Sequence, residues 1–232
     1  MLAALPLLLA CASPPAPEPP RVVAARAHKI DAVHAMFAAA QVAYPPREVL
    51  LRAFKRERVV ELWAGDGKEP LALVKSYAVC ASSGELGPKR AQGDMQVPEG
   101  YYTVDKLNPA SQFHLSLHVD YPNAADRARG KRNKVPDLGG DIMVHGNCVT
   151  IGCIPIEDDP IEEVFLALVD AKLKPPIEIF PARFDDDALL ASAPDDDTKR
   201  LWQQLAVGYR AFEKTHRAPR VSVDAHGDYV VR

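Results

Sequence analysis

The middle of the chain is a succession of short apolar runs separated by turn-forming residues, and this pattern constrains the fold more than any other feature. Runs of four to eight residues rich in β-branched and aromatic side chains are typical of strands. Between the second and third runs, Gly65, Asp66 and Gly67 supply turn chemistry. The pattern predicts strands at residues 49–54, 59–63, 71–80, 101–107, 113–118, 142–144 and 177–180.

Helical patterns flank this strand-rich region on both sides. Residues 28–44 and 200–214 repeat apolar side chains at the spacing of one helix face. A third helix is predicted at residues 159–171, with Asp159 as its N-cap and Pro160 in its first turn. The chain is expected to close with a hairpin of residues 221–223 and 229–231. The expected fold class is therefore mainly β with flanking helices, an α+β arrangement.

The first twenty residues are predicted to lie outside the fold. An apolar run of nine residues, 2–10, is too short to cross about 30 Å of hydrocarbon as a helix and suits the apolar region of a signal peptide. Leu8-Leu9-Ala10-Cys11 resembles a bacterial lipobox, which implies a lipid anchor on Cys11, although no Lys or Arg precedes the run. An apolar N-terminus without any export role is the alternative. The Pro-rich segment that follows reads as an extended spacer.

Charge and cysteine content limit the functions and the cysteine pairings that are possible. The net charge is −3, and without a basic excess we expect no nucleic-acid partner. Beyond Cys11 the chain has three cysteines, Cys80, Cys148 and Cys153. Since three thiols cannot all pair within one chain, at least one stays free or pairs elsewhere.

The stretch from Asp141 to Cys153 carries the candidate chemistry. Cys153 lies eight residues after His145, and a cysteine nucleophile needs a base to raise its thiolate fraction. The backbone amides near Thr150, Gly152 and Cys153 are candidates for an oxyanion hole. The carbonyl of Gly146 is the candidate for orienting His145.

Other interpretations of these residues are open. His145, Cys148 and Cys153, with His114 or His118, are compatible with a zinc site, although structural zinc usually shows two tight ligand pairs. A Cys148–Cys153 disulfide would instead mask the nucleophile. Cys80, at the end of a predicted strand, is expected to be a buried apolar filler.

The segment from Val144-His145-Gly146 to Thr150-Ile151-Gly152-Cys153 resembles the active-site motif of YkuD-type L,D-transpeptidases, in which a His-Gly precedes Ser/Thr-x-Gly-Cys. The short interval between His and Cys is similar to that of the YafK branch. The likeness extends from Val49 to Arg232, and its further motifs lie at residues 87–89, 93–94, 98–102, 113–117, 121–124, 208–209 and 212–215. One departure is Ile151, because many members carry a His directly before Gly-Cys. The base role therefore falls on His145 alone.

The resemblance implies a β-sandwich or barrel-like catalytic domain at residues 47–183. It is preceded by a signal and spacer segment (1–20) and an N-terminal helix (21–46), and followed by a C-terminal helix and hairpin (184–232). The implied activity is acyl transfer on peptidoglycan stem peptides through a Cys153 thioester, with no cofactor and no metal. Hydrolysis that releases lipoprotein or peptide from diaminopimelate is the alternative, and a non-catalytic peptidoglycan-binding lipoprotein is a more distant one. The implied location is the periplasm or cell envelope, with anchoring to the membrane through Cys11.

Four further residues are candidates for substrate binding within this resemblance. They are His114, Tyr121, Asn123 and Asn147. For His114 the alternative is an ordinary half-exposed strand histidine. For Tyr121 and Asn123 the alternative is shaping of the turn around Pro122.

Overall fold

The computed structural model describes residues 17–232, so the predicted signal segment and Cys11 lie outside the described residues. The helices are Pro20–Ala39 (α1), Ala124–Arg132 (α2), Asp158–Ala171 (α3), Ala188–Ala191 (α4) and Asp196–Thr215 (α5). The strands are Glu48–Phe54 (β1), Val59–Gly65 (β2), Ala72–Ala78 (β3), Gly100–Asn108 (β4), Ser116–Val119 (β5), Ile142–His145 (β6), Ile154–Pro155 (β7), Pro176–Phe180 (β8), Val221–Val223 (β9) and Tyr229–Val231 (β10). None of the helices in the described part has the length and apolar content needed to cross a membrane.

Eight strands form one curled mixed sheet in the order β3-β2-β1-β8-β4-β5-β6-β7, and β9 and β10 form a separate hairpin. Two neighbouring pairs, β1–β8 and β6–β7, are parallel, and the other pairs are antiparallel. The sheet with its flanking helices confirms the predicted fold class. Each predicted strand is present, with its ends shifted by a few residues.

Side-chain alternation along β1 separates two apolar layers. Leu51 and Ala53 belong to the core that contains α1 and α3, whereas Phe54 belongs to the core that contains α5. Successive side chains of a strand point to opposite faces, so helices cover both faces of the sheet. Burying one Leu or Phe in either layer contributes about 1.5–3 kcal/mol.

A buried arginine lies in the layer of α5. Arg52 is fully buried, and its guanidinium bonds Glu178 at 2.9 Å and Glu213 at 2.6 Å. Its charged group also lies 4.0 Å from the centre of the Phe212 ring. Burial raises the pKa of Glu178 to about 7, against the opposing effect of Arg52. Through its bonds to Glu178 and Glu213, Arg52 ties the parallel strands β1 and β8 to α5.

The first helix begins earlier and ends earlier than residues 28–44. It starts at Pro20 because proline is well suited to a first helical turn, where its missing N–H is not needed. It packs on α3, and Arg26 makes two bonds to the Asp170 carboxylate at 2.6 and 2.8 Å. Tyr44 bonds the same carboxylate at 2.6 Å.

Two other boundaries differ from expectation. The stretch of residues 121–140, predicted to be irregular, contains α2, whose N-cap Asn123 forms a capping box with Asp126. Helix α3 begins at Asp158 after Glu157, so the predicted N-cap Asp159 lies within its first turn. The capping box of α2 is present in the sequence, whereas Glu157, the N-cap of α3, makes no side-chain cap hydrogen bond and lies two residues before the predicted N-cap.

Candidate active site

The parallel pairing of β6 and β7 brings His145 and Cys153 together. Val144 lies opposite Ile154 and His145 opposite Pro155, so Cys153, the residue before β7, continues this register beside Met143. Cys153 and His145 therefore lie on the same face as diagonal neighbours. Strand spacing and rise place such diagonal Cα atoms roughly 8 Å apart. In the described residues the two side chains make no hydrogen bond to each other.

The His145 ring is held in a defined tautomer. It is buried, and its Nδ1 lies 2.5 Å from the carbonyl oxygen of Gly146. Because a carbonyl oxygen only accepts, Nδ1 carries the proton and Nε2 is left with a free lone pair. Burial lowers the pKa of His145, and the bond to Gly146 opposes this effect. The Phe113 ring lies against the imidazole, with 4.8 Å between ring centres.

Cys153 is the free thiol of the described residues. Its Sγ lies 3.6 Å from the carbonyl oxygen of Asp141, to which it donates. Burial raises the pKa of the thiol, and the charge of Asp141 acts in the same direction, while the Met143 amide and Lys89 oppose it. For both Cys153 and His145, burial is the largest effect on the pKa, and in both it favours the neutral form.

Cys80 and Cys148 form a disulfide. The expectation that Cys80 is only an apolar filler is therefore wrong, and so is the alternative Cys148–Cys153 disulfide. The bond joins the segment after β3 to the loop between β6 and β7. It ties down the chain five residues before Cys153 and leaves that thiol free.

Glycine is required at two positions of this loop. A Cβ at Gly146 would lie 2.5 Å from an oxygen of Asp158 and 2.9 Å from the Cβ of His114. The Gly146 amide already donates to the Leu115 carbonyl, at 3.1 Å. Glycine is therefore required at position 146 by close packing and not by the need for a free amide. Gly152 has a φ of +122°, a conformation that side chains disfavour.

The Thr150 hydroxyl organises the backbone at Cys153. Its oxygen accepts from the amides of Gly152, at 3.2 Å, and Cys153, at 2.8 Å, and the hydroxyl donates to the Cys153 carbonyl at 2.8 Å. Two of the amides expected to form an oxyanion hole therefore already have an acceptor. A substrate oxyanion would compete with Thr150 for them.

Two cavities meet at Cys153. One cavity, of about 200 Å³, lies beside the hairpin of β1 and β2 and is called the hairpin-side cavity. The residues that line it include Lys55, Arg58, Val79, Ser83, Val97 and Cys153. The loop-side cavity, of about 400 Å³, is lined by residues that include Lys89, Gln92, Met95, Asp141, Ile151 and Cys153. The thiol is thus reachable from two directions. Ile151, which replaces the histidine of many family members, is exposed at the loop-side cavity.

The four candidate substrate-binding residues have contacts within the protein. His114 lies next to Gly146 and bonds the buried Glu162 through Nε2 at 2.8 Å, and its backbone φ is 67°. The Asn147 amide donates to Asp158 at 2.7 Å, and its side-chain oxygen accepts from the Cys148 amide at 2.6 Å. Both residues shape the loop between His145 and Cys153.

Tyr121 and Asn123 lie elsewhere. The buried Tyr121 donates to the Leu138 carbonyl at 3.1 Å, and Asn123 caps α2. Neither lines the cavities at Cys153 among the described residues. Their contacts fit the alternative role, shaping the turn around Pro122.

The zinc arrangement considered from the sequence is not formed, because the sulfur of Cys148 is bonded to Cys80. His118 instead bonds Asp105 at 2.6 Å. Across residues 17–232, two groups bring three potential ligand atoms within 4.8 Å of one another: Cys80, Cys148 and Glu157, and His28, Asp159 and Glu162. The first contains the disulfide, and in the second Lys29 already pairs with Asp159 at 2.5 Å.

The sequence did not single out the residues that order the loop of residues 82–99. The Asp94 carboxylate accepts from the amides of Arg90, Ala91 and Gln96 at 2.7–3.0 Å. It also pairs with the buried Lys89 at 2.7 Å. Lys89 and Gly93-Asp94 stand in two of the family-like motifs, and a carboxylate next to a glycine turn is the signal that could have identified this role.

No protein-family model matches the chain. It is 39% identical over 189 residues to the Escherichia coli proteins of strains K12 and O157:H7 named "Putative L,D-transpeptidase YafK", and the match covers 79% of this chain and 73% of theirs.

Solved structures show weaker likeness. The helical cell shape determining protein Pgp2 from Campylobacter jejuni superposes with a TM-score of 0.48 at 16% identity, covering 83% of this chain and 80% of that one. L,D-transpeptidase 1 of Mycobacterium tuberculosis superposes with a TM-score of 0.34 at 13% identity, covering 57% of this chain and 62% of that one. The assignment rests on the curated relatives, and the chain belongs to the YkuD-type L,D-transpeptidase family, in its YafK-like branch.

Proposed function

We propose that this protein is a cysteine acyltransferase that acts on peptidoglycan stem peptides, with Cys153 as nucleophile and His145 as general base. The observation that carries the proposal is the bond from His145 Nδ1 to the Gly146 carbonyl. It leaves Nε2 able to take a proton, on the face where the free thiol of Cys153 lies. The name of the curated relatives supports the reaction class, and the substrate is part of the proposal.

The reaction follows from these two groups. The thiol proton moves to Nε2 of His145 as the sulfur of Cys153 attacks an amide carbonyl carbon of a diaminopimelate-containing stem peptide. The tetrahedral intermediate collapses, the C–N bond breaks, and the leaving amine takes the proton back from His145. The acyl group remains on Cys153 as a thioester. An amine of a second stem peptide then attacks the thioester, forming a new amide and restoring the thiol.

The resting charge state fits this sequence of steps. Burial favours the neutral forms of both Cys153 and His145, so the proposed mechanism starts from a thiol and a neutral imidazole. A neutral thiol reacts slowly with oxidants. The nucleophile is thereby protected until a substrate carbonyl is in place.

The two cavities that meet at Cys153 support a two-substrate reaction. One can hold the acyl donor while the other admits the second nucleophile. If water fills that role, the same thioester is hydrolysed, and the product is lipoprotein or peptide released from diaminopimelate. Transfer and hydrolysis share every step up to the thioester.

The disulfide supports placement of the protein in the periplasm or cell envelope, because such bonds persist in oxidising compartments. A lipid anchor on Cys11 remains a prediction, because that residue lies outside the described residues. A non-catalytic peptidoglycan-binding lipoprotein is the competing function. It would have no use for a free thiol beside an oriented imidazole.

The test incubates the purified protein with free tetrapeptide muropeptides and with sacculi that carry covalently attached lipoprotein, and analyses the products by mass. Cross-linked muropeptides support transfer, and released lipoprotein or peptide supports hydrolysis. A mass increase on Cys153 after exposure to a carbapenem would identify the acylated residue. Full activity in Cys153→Ala, or the absence of both turnover and adduct in the wild-type protein, would overturn the proposal.

A further inference from the structure

The hairpin-side cavity is bordered by two guanidinium groups without a carboxylate partner. Lys55 to Arg58 form the turn between β1 and β2, and both Arg56 and Arg58 are exposed at the edge of this cavity. Within residues 17–232, the Arg56 side chain has no hydrogen-bond or ion-pair partner, and that of Arg58 bonds only the neutral hydroxyl of Ser82, at 2.6 Å. Both charges are therefore available to an anion.

The third cation of this turn is not available. The ammonium of Lys55 bonds Glu99 at 2.8 Å and the carbonyls of Gly87 and Val97 at 2.7 and 3.1 Å. Lys55 therefore closes the wall of the cavity, and its charge is neutralised. Glu85 is the acidic residue among the lining residues, so the two guanidinium groups leave the cavity with a net positive charge.

Ser83 provides a second, independent observation. Its hydroxyl oxygen is buried and has no hydrogen-bond partner in the described protein, although the residue lines this cavity. A buried hydroxyl without a partner is unfavourable, and most such groups are satisfied by protein, water or ligand. A ligand with acceptor oxygens would satisfy it.

The remaining wall is apolar and leads to the nucleophile. Phe54, Val79, Leu86 and Ile154 line the cavity together with Cys153. A ligand that fits this surface has an aliphatic portion, an anionic group and a carbonyl within reach of the thiol. Arginine is suited to the anionic group, because its planar fork binds both oxygens of a carboxylate.

We propose that the hairpin-side cavity is a carboxylate-binding site for the acyl donor. Arg58, assisted by Arg56, holds a free carboxylate of the donor peptide, and the Ser83 hydroxyl donates to the same ligand. Arg58 is the principal residue, because Arg56 also borders a depression that contains Glu57 and Asp185. This inference rests on the proposed function and assigns the donor to one of the two cavities.

The test measures acylation of the full-length protein by two synthetic stem peptides that differ only in whether their free carboxylates are amidated. Arg58→Gln and Arg56→Gln/Arg58→Gln should lower kcat/KM for the carboxylate peptide roughly 10–100-fold, the usual range for a charge-assisted hydrogen bond, mainly through KM. For the amidated peptide, wild type and variants should be equally slow. Arg47→Gln is the matched control, because Arg47 is an exposed arginine that precedes the opposite end of β1.

Equal kcat/KM values for wild type and the Arg58 variants on the carboxylate peptide would overturn the site while leaving the thioester mechanism intact. If neither peptide acylates Cys153, the proposed function fails, and the site is tested separately. In that case the carboxylate peptide is titrated calorimetrically into Cys153→Ser with and without Arg58→Gln. Binding lost with Arg58→Gln supports the site, and unchanged or absent binding overturns it. Arg58→Lys should restore part of the affinity, which a folding defect at position 58 would not allow.

Discussion

The Cys80–Cys148 disulfide should contribute a large share of the stability of the fold. It closes a loop with a sequence separation of 68 residues. In the chain-entropy treatment, a loop of this length stabilises the folded state by about 4 kcal/mol at 25 °C. For a protein of this size, removal of the disulfide corresponds to a fall in Tm of roughly 8–16 °C.

The perturbation is Cys80→Ala/Cys148→Ala, and the assay is urea unfolding with and without reductant. Without reductant, the double variant should be less stable than wild type by the amount given above. With reductant, the free energies of unfolding should converge, because the wild-type bond is then also open. Reduced wild type is thus the matched control for the small loss of packing at the two alanines.

Thiol titration provides an independent check. Denatured protein comprising residues 17–232 should show one reactive thiol, Cys153, before reduction and three afterwards. Three thiols before reduction, in protein recovered from an oxidising compartment, would refute the pairing. A double variant as stable as oxidised wild type would refute the entropic argument even if the bond is present.

Three other perturbations test the site and the core. Thr150→Val should lower kcat, because the hydroxyl holds the turn at Cys153, and Thr150→Ser should remain close to wild type. A higher kcat in Thr150→Val would show instead that the hydroxyl only competes for the amides of the oxyanion hole. The acid limb of kcat/KM should lie below about pH 6.5, because burial lowers the pKa of His145 and only its neutral form accepts the thiol proton. A limb above this pH would contradict the lowered pKa. Arg52→Ala should lower the free energy of unfolding in urea by about 3–5 kcal/mol, because it leaves buried Glu178 without its cation. This loss of stability should grow as pH rises through 7, where the Glu178 carboxyl ionises in the fold. Arg47→Ala, at an exposed site, should change the stability little.

The strands of this protein were predictable because their signal is local. β1, β2 and β8 are short apolar runs bounded by turn residues, and the sheet uses them as such. Helix α2 was missed although its capping box was present in the sequence, since Asn123 and Asp126 lie in a stretch of polar residues without an apolar face. The candidate nucleophile and base were also proposed from the sequence, because both residue types lie within thirteen consecutive residues, Asp141 to Cys153.

By itself, the sequence determined a strand-rich core flanked by helices and a thiol eight residues after a histidine. Only the tertiary structure decided which cysteine stays free, because pairing of Cys80 with Cys148 depends on contacts across 68 residues and cannot be inferred from spacing. It also decided the direction in which the two pKa values move. Burial of His145 and Cys153 follows from the packing of the domain around β6 and β7, and this burial lowers the pKa of His145 and raises that of Cys153.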